Sequence, residues 1–159
     1  MKCSALLSAL MALSLMAAGC GKAEPRTAAA PAPKAHEHKT PHGGTAIELG
    51  EEAFHVELVK EDPGTLSAYV LDGEMENFIR IESPTFEIAA TVAGQSQTLV
   101  FRAIASTATG ETVGNTSHFG AEAAWLKTTP VFDGVLTRLE VKGQVFTAVS
   151  FNFPKGNDK

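Results

Sequence analysis

From Phe54 onward, apolar residues return at every second position, and few folds accommodate that rhythm. Phe54, Val56 and Leu58 alternate with His55 and Glu57, and Phe86, Ile88, Ala90 and Val92 alternate with Glu87, Ala89 and Thr91. Leu99, Phe101 and Ala103 flank Arg102, and Val135, Thr137, Leu139 and Val141 flank Arg138 and Glu140. A period of two sends successive side chains to opposite faces, so each run reads as a half-buried β-strand. Between the runs stand turn formers: Leu49-Gly50, Asp62-Pro63-Gly64, Asp72-Gly73, Ala93-Gly94, Asp133-Gly134 and Lys142-Gly143. The last leaves only Lys142 and Gly143 between Val141 and Gln144, the signature of a tight hairpin. The expected fold class is all-β, an antiparallel β-sandwich or small barrel of about seven to nine strands. Residues 121–127 hold strong helix formers and are expected to make one short helical turn, although Phe119, Ala121, Ala123 and Trp125 also keep the strand alternation.

The aromatic residues delimit the domain. All nine Phe, the single Trp (Trp125) and the single Tyr (Tyr69) lie between Phe54 and Phe153, which places the β domain at 42–154 and leaves 155–159 as a tail. The 159-residue length accommodates one core of ordinary size and no second one. Residues 20–41 are different: they contain Pro25, Pro31, Pro33, Pro41 and the run Ala28-Ala29-Ala30, with no aromatic residue. Such a segment buries too little apolar surface to offset its ordering entropy, so it is expected to be a disordered tether. Its reach is about 25 Å as a random coil and about 65 Å in polyproline form.

Residues 1–19 have the form of a targeting segment. Lys2 is followed by an apolar run from Ala5 to Ala18 interrupted only by Ser8 and Ser14, too short for a membrane-spanning helix and suited to a signal peptide. The run ends Ala17-Ala18-Gly19-Cys20, which resembles the lipobox of bacterial lipoproteins, with Ala17 where leucine is commonest. The resemblance implies cleavage before Cys20 and acylation of that cysteine, so that the lipid bilayer becomes a partner and the protein faces the periplasm. Gly21, in place of an aspartate after the acylated position, resembles the outer-membrane sorting signal of enteric bacteria. With Cys3 in the leader, Cys20 is the only cysteine of the mature chain, and no disulfide or thiolate metal site is available.

The densest chemistry lies where the tether meets the domain. His36-Glu37-His38 and His42 place three of the five histidines within seven residues. Imidazole is a common ligand of Zn, Ni and Cu(II), and alternate histidines on a flexible chain can converge on one ion. With Met75 the single methionine beyond the leader, a soft Cu(I) site is disfavoured. His55, two residues from Glu57 on what reads as the solvated face of its strand, is a candidate fourth ligand, and the bland alternative is plain surface. Ser117 and His118 are neighbours on one strand, point to opposite faces and cannot form a dyad. His36-Glu37-His38 is not the helical zinc-protease motif, because its second histidine comes too early. No nucleophile elbow, phosphate-cradling loop or dinucleotide fingerprint is present. The carboxylates Glu51, Glu52, Asp62, Glu74 and Glu76 gather near turns, where solvation explains them. Thirteen basic against 18 acidic residues, for a net charge of −5, disfavour nucleic acid as a partner.

Four segments carry a further likeness: His42-Gly43-Gly44, Glu48-Leu49-Gly50, Phe54-His55-Val56-Glu57-Leu58 and Tyr69-Val70-Leu71-Asp72-Gly73. Together, over residues 42–81, they resemble the small N-terminal β module of periplasmic adaptor subunits of heavy-metal efflux pumps, and stand-alone envelope lipoproteins with a histidine-bearing segment before the same start. The adaptors' helical hairpin and lipoyl-like parts have no counterpart here. The resemblance implies a β-sandwich-like fold, a connection to an envelope efflux complex and His42 as a ligand. The expectation from sequence is therefore a non-enzymatic, lipid-anchored protein that binds divalent transition metal through His36, His38, His42 and His55. The alternatives are a metal-free structural or interaction module of the envelope and, with least support, a hydrolase built on a carboxylate pair.

Overall fold

The computed structural model describes residues 39–157. The leader 1–19, Cys20, and the histidines His36 and His38 lie outside the described residues. Eight strands follow in chain order: β1 (Thr45–Leu49), β2 (Phe54–Lys60), β3 (Thr65–Asp72), β4 (Thr85–Val92), β5 (Gln95–Ala103), β6 (His118–Glu122), β7 (Phe132–Val141) and β8 (Gln144–Phe153). They form one sheet in the order β1-β2-β3-β6-β5-β4-β7-β8, with every pairing antiparallel. The expected all-β class holds, in its barrel-like form. Curling the sheet turns one face of every strand toward a common interior.

The alternation read from sequence supplies that interior. Val56 and Leu58 of β2, Ile88 and Ala90 of β4, and Leu99 and Phe101 of β5 are buried in one core cluster. Phe86 stacks on Phe101 with ring centroids 4.8 Å apart and meets Phe119 edge-on at 5.2 Å. The hairpins β4–β5 and β7–β8 turn on Ala93-Gly94 and Lys142-Gly143, all four residues with positive φ. That is the backbone whose twist matches two antiparallel strands, and it suits a glycine at the second position. Residues 121–127 divide between the two readings. Ala121 and Glu122 finish β6, and Ala124–Lys127 make a 3₁₀ turn that buries Leu126.

Two expectations need correction. Asp133-Gly134 is not a turn but part of β7. A Cβ at Gly134 would lie 2.5 Å from Cζ of Phe151, so the glycine there makes room for a cross-strand ring. Nor does β7 keep one phase from Val135 to Val141. From Val135 onward its buried residues are Leu136, Leu139 and Val141, because the ladder to β4 runs Ile88–Leu136 and then Glu87–Arg138. The extra residue, Thr137, makes a bulge that shifts the inward phase by one. Beyond β8, residues 154–157 close the sheet. Thr45 Oγ1 donates to the Pro154 carbonyl at 3.1 Å. Asn157 Oδ1 accepts from the Glu48 N–H at 2.8 Å, and Asn157 Nδ2 donates to the Glu48 carbonyl at 3.2 Å. Side-chain bonds, not a strand ladder, thus join β1 to the chain beyond β8.

Candidate functional site

On the side of the sheet away from the core, register lines up three polar side chains. Glu57 of β2 faces Tyr69 of β3, and Tyr69 faces His118 of β6. The residues leading into β1 fold back over this row. The His42 ring stacks on Tyr69 with centroids 4.0 Å apart and planes 20° apart, and Tyr69 stacks on His118 at 4.4 Å and 10°. Phe78 stands edge-on to Tyr69 at 6.0 Å and lies 5.8 Å from the His42 ring. The result is a column of three rings with a fourth on its flank.

Glu57 ties the column to the sheet. It is fully buried, and its Oε1 accepts the main-chain N–H groups of His42 and Gly44, both at 2.9 Å. Its Oε2 lies 2.8 Å from His42 Nδ1. The approach is close enough to require glycine, since a Cβ at Gly44 would sit 2.5 Å from the Leu58 carbonyl and 2.9 Å from Glu57 Cγ. When Nδ1 donates to a carboxylate, Nε2 keeps its lone pair, the orientation in which histidine serves as a metal ligand. The His42 side chain is 35% exposed.

At the far end of the column, His118 Nε2 lies 3.3 Å from the Ser67 hydroxyl. Burial pulls the His118 pKa down and favours the neutral ring, against the opposing charges of Glu111 and Glu61. Burial and then the charge of Glu61 raise the Tyr69 phenol. Phe78 is brought to the column by a loop that Asp72 organises. The Asp72 carboxylate accepts from the N–H groups of Glu76 (2.9 Å) and Asn77 (3.1 Å) and from Asn77 Nδ2 (2.6 Å).

Ser117 points away from the column. Its N–H and hydroxyl both donate to Glu111 Oε1, at 2.8 and 2.7 Å, while Thr109 donates to Oε2 at 2.6 Å. Burial alone would push the Glu111 carboxyl up, but these hydrogen bonds and the nearby Arg80 charge hold it at about 2, against an ordinary 4.5. A depressed folded pKa favours the native state above the ordinary value, and that contribution fades as pH falls toward the folded one. Stability measured by chemical denaturation is therefore expected to drop as pH falls from about 4.5 to about 2. Replacing Glu111 with Gln should flatten that part of the curve.

The structure treats the sequence candidates unequally. His42 takes a defined place on Glu57. His55 does not lie on solvated surface: it and Glu57 are both fully buried. The reason is that β2 is covered on both faces, by the core on one and on the other by the lead-in to β1 and the loop after β3, which buries Met75 beside the strand ends. His55 Nδ1 is 3.3 Å from the Asp72 carbonyl, whereas the His42 ring turns to Glu57 and Tyr69. Among the described residues, no group of three or more His, Cys, Asp or Glu side chains is placed to hold a metal ion. Tyr69 and His118 escaped sequence reasoning as site residues, because the pairing of β3 with β6 spans a long intervening segment. The Gly43-Gly44 pair after His42 was the local sign of a close approach. No protein-family model, no curated protein sequence and no solved structure matches the chain.

Proposed function

We propose that the chain is a bacterial envelope lipoprotein, anchored through acylated Cys20 to the outer membrane. It binds a divalent transition metal (Zn, Ni or Cu(II)) where its tether joins the β domain, in the service of metal efflux or homeostasis. The observation that carries this reading is the Glu57–His42 bond, which fixes the ring through Nδ1 and leaves the Nε2 lone pair to coordinate an ion. His38 and His36 precede His42 by four and six positions, and four residues of chain reach at most about 14 Å. A site that uses all three is therefore built around His42, and buried His55 stays outside it.

The protein acts by binding, not by catalysis. Ser117 gives its hydroxyl hydrogen to Glu111 and so does not pair with His118 as nucleophile and base. Its partners are the bilayer and an envelope efflux complex. The second reading, a metal-free interaction module, draws on Phe78, which is 49% exposed beside the ring column.

Calorimetric titration of the full chain in detergent with Zn, Ni and Cu(II) tests the proposal. Binding is expected, abolished in His42→Ala and weakened about 10- to 100-fold in Glu57→Gln, the usual effect of losing an outer carboxylate partner. No heat change, or one indifferent to His36, His38 and His42, rejects the metal reading. Crosslinking in intact cells that captures a partner equally well in chelator would then support the second.

A further inference from the structure

One side of β5 is only partly paired. The strand is joined to β4 in unbroken register, from Thr85–Arg102 to Val92–Gln95. On its other side it meets β6 only at Arg102–Gly120 and Ala103–Phe119. The two-residue turn Ala93-Gly94, with positive φ at both positions, makes Val92 and Gln95 a pair that exchanges both main-chain bonds. By the strand period, Gln95, Gln97 and Leu99 turn their N–H and C=O groups to β4, and Ser96 and Thr98 turn theirs away. The pairing of Arg102 with Gly120 agrees with that phase. Among the described residues, no hydrogen bond reaches the main chain of Ser96 or Thr98 from the far side.

The two outer edges of the sheet are protected. Bonds to Pro154 and Asn157 cover β1. The β8 edge is interrupted at Ala148, whose φ of 53° breaks the extended backbone and takes it out of the ladder. Free edges are ordinarily blunted in such ways, or by charge or proline. The run Gln95–Phe101 has none of these devices: it holds no charged residue, no proline and no bulge. Gln95, Ser96, Gln97 and Thr98 are all exposed, and the buried part of β5 begins at Leu99. A cleft lined by Thr98 and Val100 of β5 and by Glu122 of β6 leaves the edge open to approach.

We propose that this edge pairs with the same edge of a second copy of the chain, antiparallel about Gln97, so that the β4–β5 hairpins of the two copies form one four-stranded sheet. The chemistry of the edge selects the occupant. Main-chain donors and acceptors that repeat every second residue are matched by another extended strand. Copies of a chain with net charge −5 repel one another, and an uncharged, protruding segment is where they can touch. Two-fold pairing about Gln97 sets Ser96 of each copy against Thr98 of the other, and each such pair exchanges two main-chain bonds. It also sets the second copy's Gly94 opposite Val100, so the incoming hairpin turns back before the cleft closes at Arg102–Gly120. A contact this short is weak in dilute solution, and copies anchored in one membrane meet at a far higher effective concentration.

Sedimentation equilibrium of the full chain in detergent micelles tests the pairing, and a concentration-dependent dimer is expected. Thr98→Pro removes one outward N–H from each copy, leaves the bonds to β4 in place, and should weaken the dimer about tenfold or more. Gln97→Lys keeps every main-chain donor but sets like charges directly opposite, and should weaken the dimer in a way that high salt relieves. Gln97→Cys should give a disulfide-linked dimer on mild oxidation, since paired Cα atoms at that position stand about 4.5 Å apart. Thr91→Cys, exposed on the neighbouring strand, should not. A chain that stays monomeric, a dimer indifferent to both Thr98→Pro and Gln97→Lys, or equal crosslinking from Thr91→Cys overturns the pairing. In intact cells, a Gln97→Cys adduct with a different protein in place of a second copy overturns the choice of occupant.

Discussion

Glu57→Ala is expected to destabilise the β domain by about 2–4 kcal/mol, since two part-buried N–H groups lose the carboxylate that accepts from them and each such loss costs about 1–3 kcal/mol. Those groups belong to His42 and Gly44, which share Oε1 of this fully buried side chain. Urea denaturation should show the midpoint falling at unchanged slope, the mark of a stability change without a change in the unfolded state. Two comparisons isolate the cause. Glu57→Gln keeps an acceptor for the main-chain groups and should lose less than half as much. His42→Ala removes the ring from Tyr69 but leaves both main-chain bonds, so its cost should be closer to about 1 kcal/mol. If all three variants unfold at the same urea concentration, the carboxylate is not what holds the lead-in to the sheet.

Phe101→Ala should cost about 3–5 kcal/mol, the range for truncating a large ring in a close-packed core. Phe101 has no exposed surface and stacks on Phe86 with planes only 1° apart. Phe86 in turn abuts Phe119 of β6, so the cavity would open where three strands meet. Phe101→Leu fills most of the volume and should cost much less. A thermal or urea midpoint that barely moves in Phe101→Ala would mean that these strands close over the gap, contrary to a rigidly packed interior.

How much of this was legible before any coordinates depended on how local each feature is. The runs at β2, β4 and β5 were plain, because alternation there is unbroken and one face of each enters the core. The hairpin at Lys142-Gly143 was equally plain, since its two residues sit between two apolar runs. The phase of β7 was not, because a single extra residue at Thr137 leaves no mark in composition. Asp133-Gly134 misled for a related reason: the same pair that makes a turn also makes space for Phe151. The site was half legible. His42 stood out by residue type, but Glu57 and His55 read as solvated because alternation reports which face is polar and not what lies on top of it. Tyr69 and His118 come together through a strand pairing across nearly fifty positions, and no local signal announces such a contact.

The bonds between β1 and residues 154–157 have a kinetic meaning. Glu48 and Asn157 are 109 positions apart, so closing the ring brings together nearly the full described length of the chain. The entropy of closing a loop grows with its length, but slowly, and it falls once the intervening hairpins have shortened the free path. The seam of the β domain is therefore expected to assemble late and to part early. Its few side-chain bonds can open while the hairpins on either side stay paired, so exchange of the Glu48 amide with solvent reports on that breathing without global unfolding.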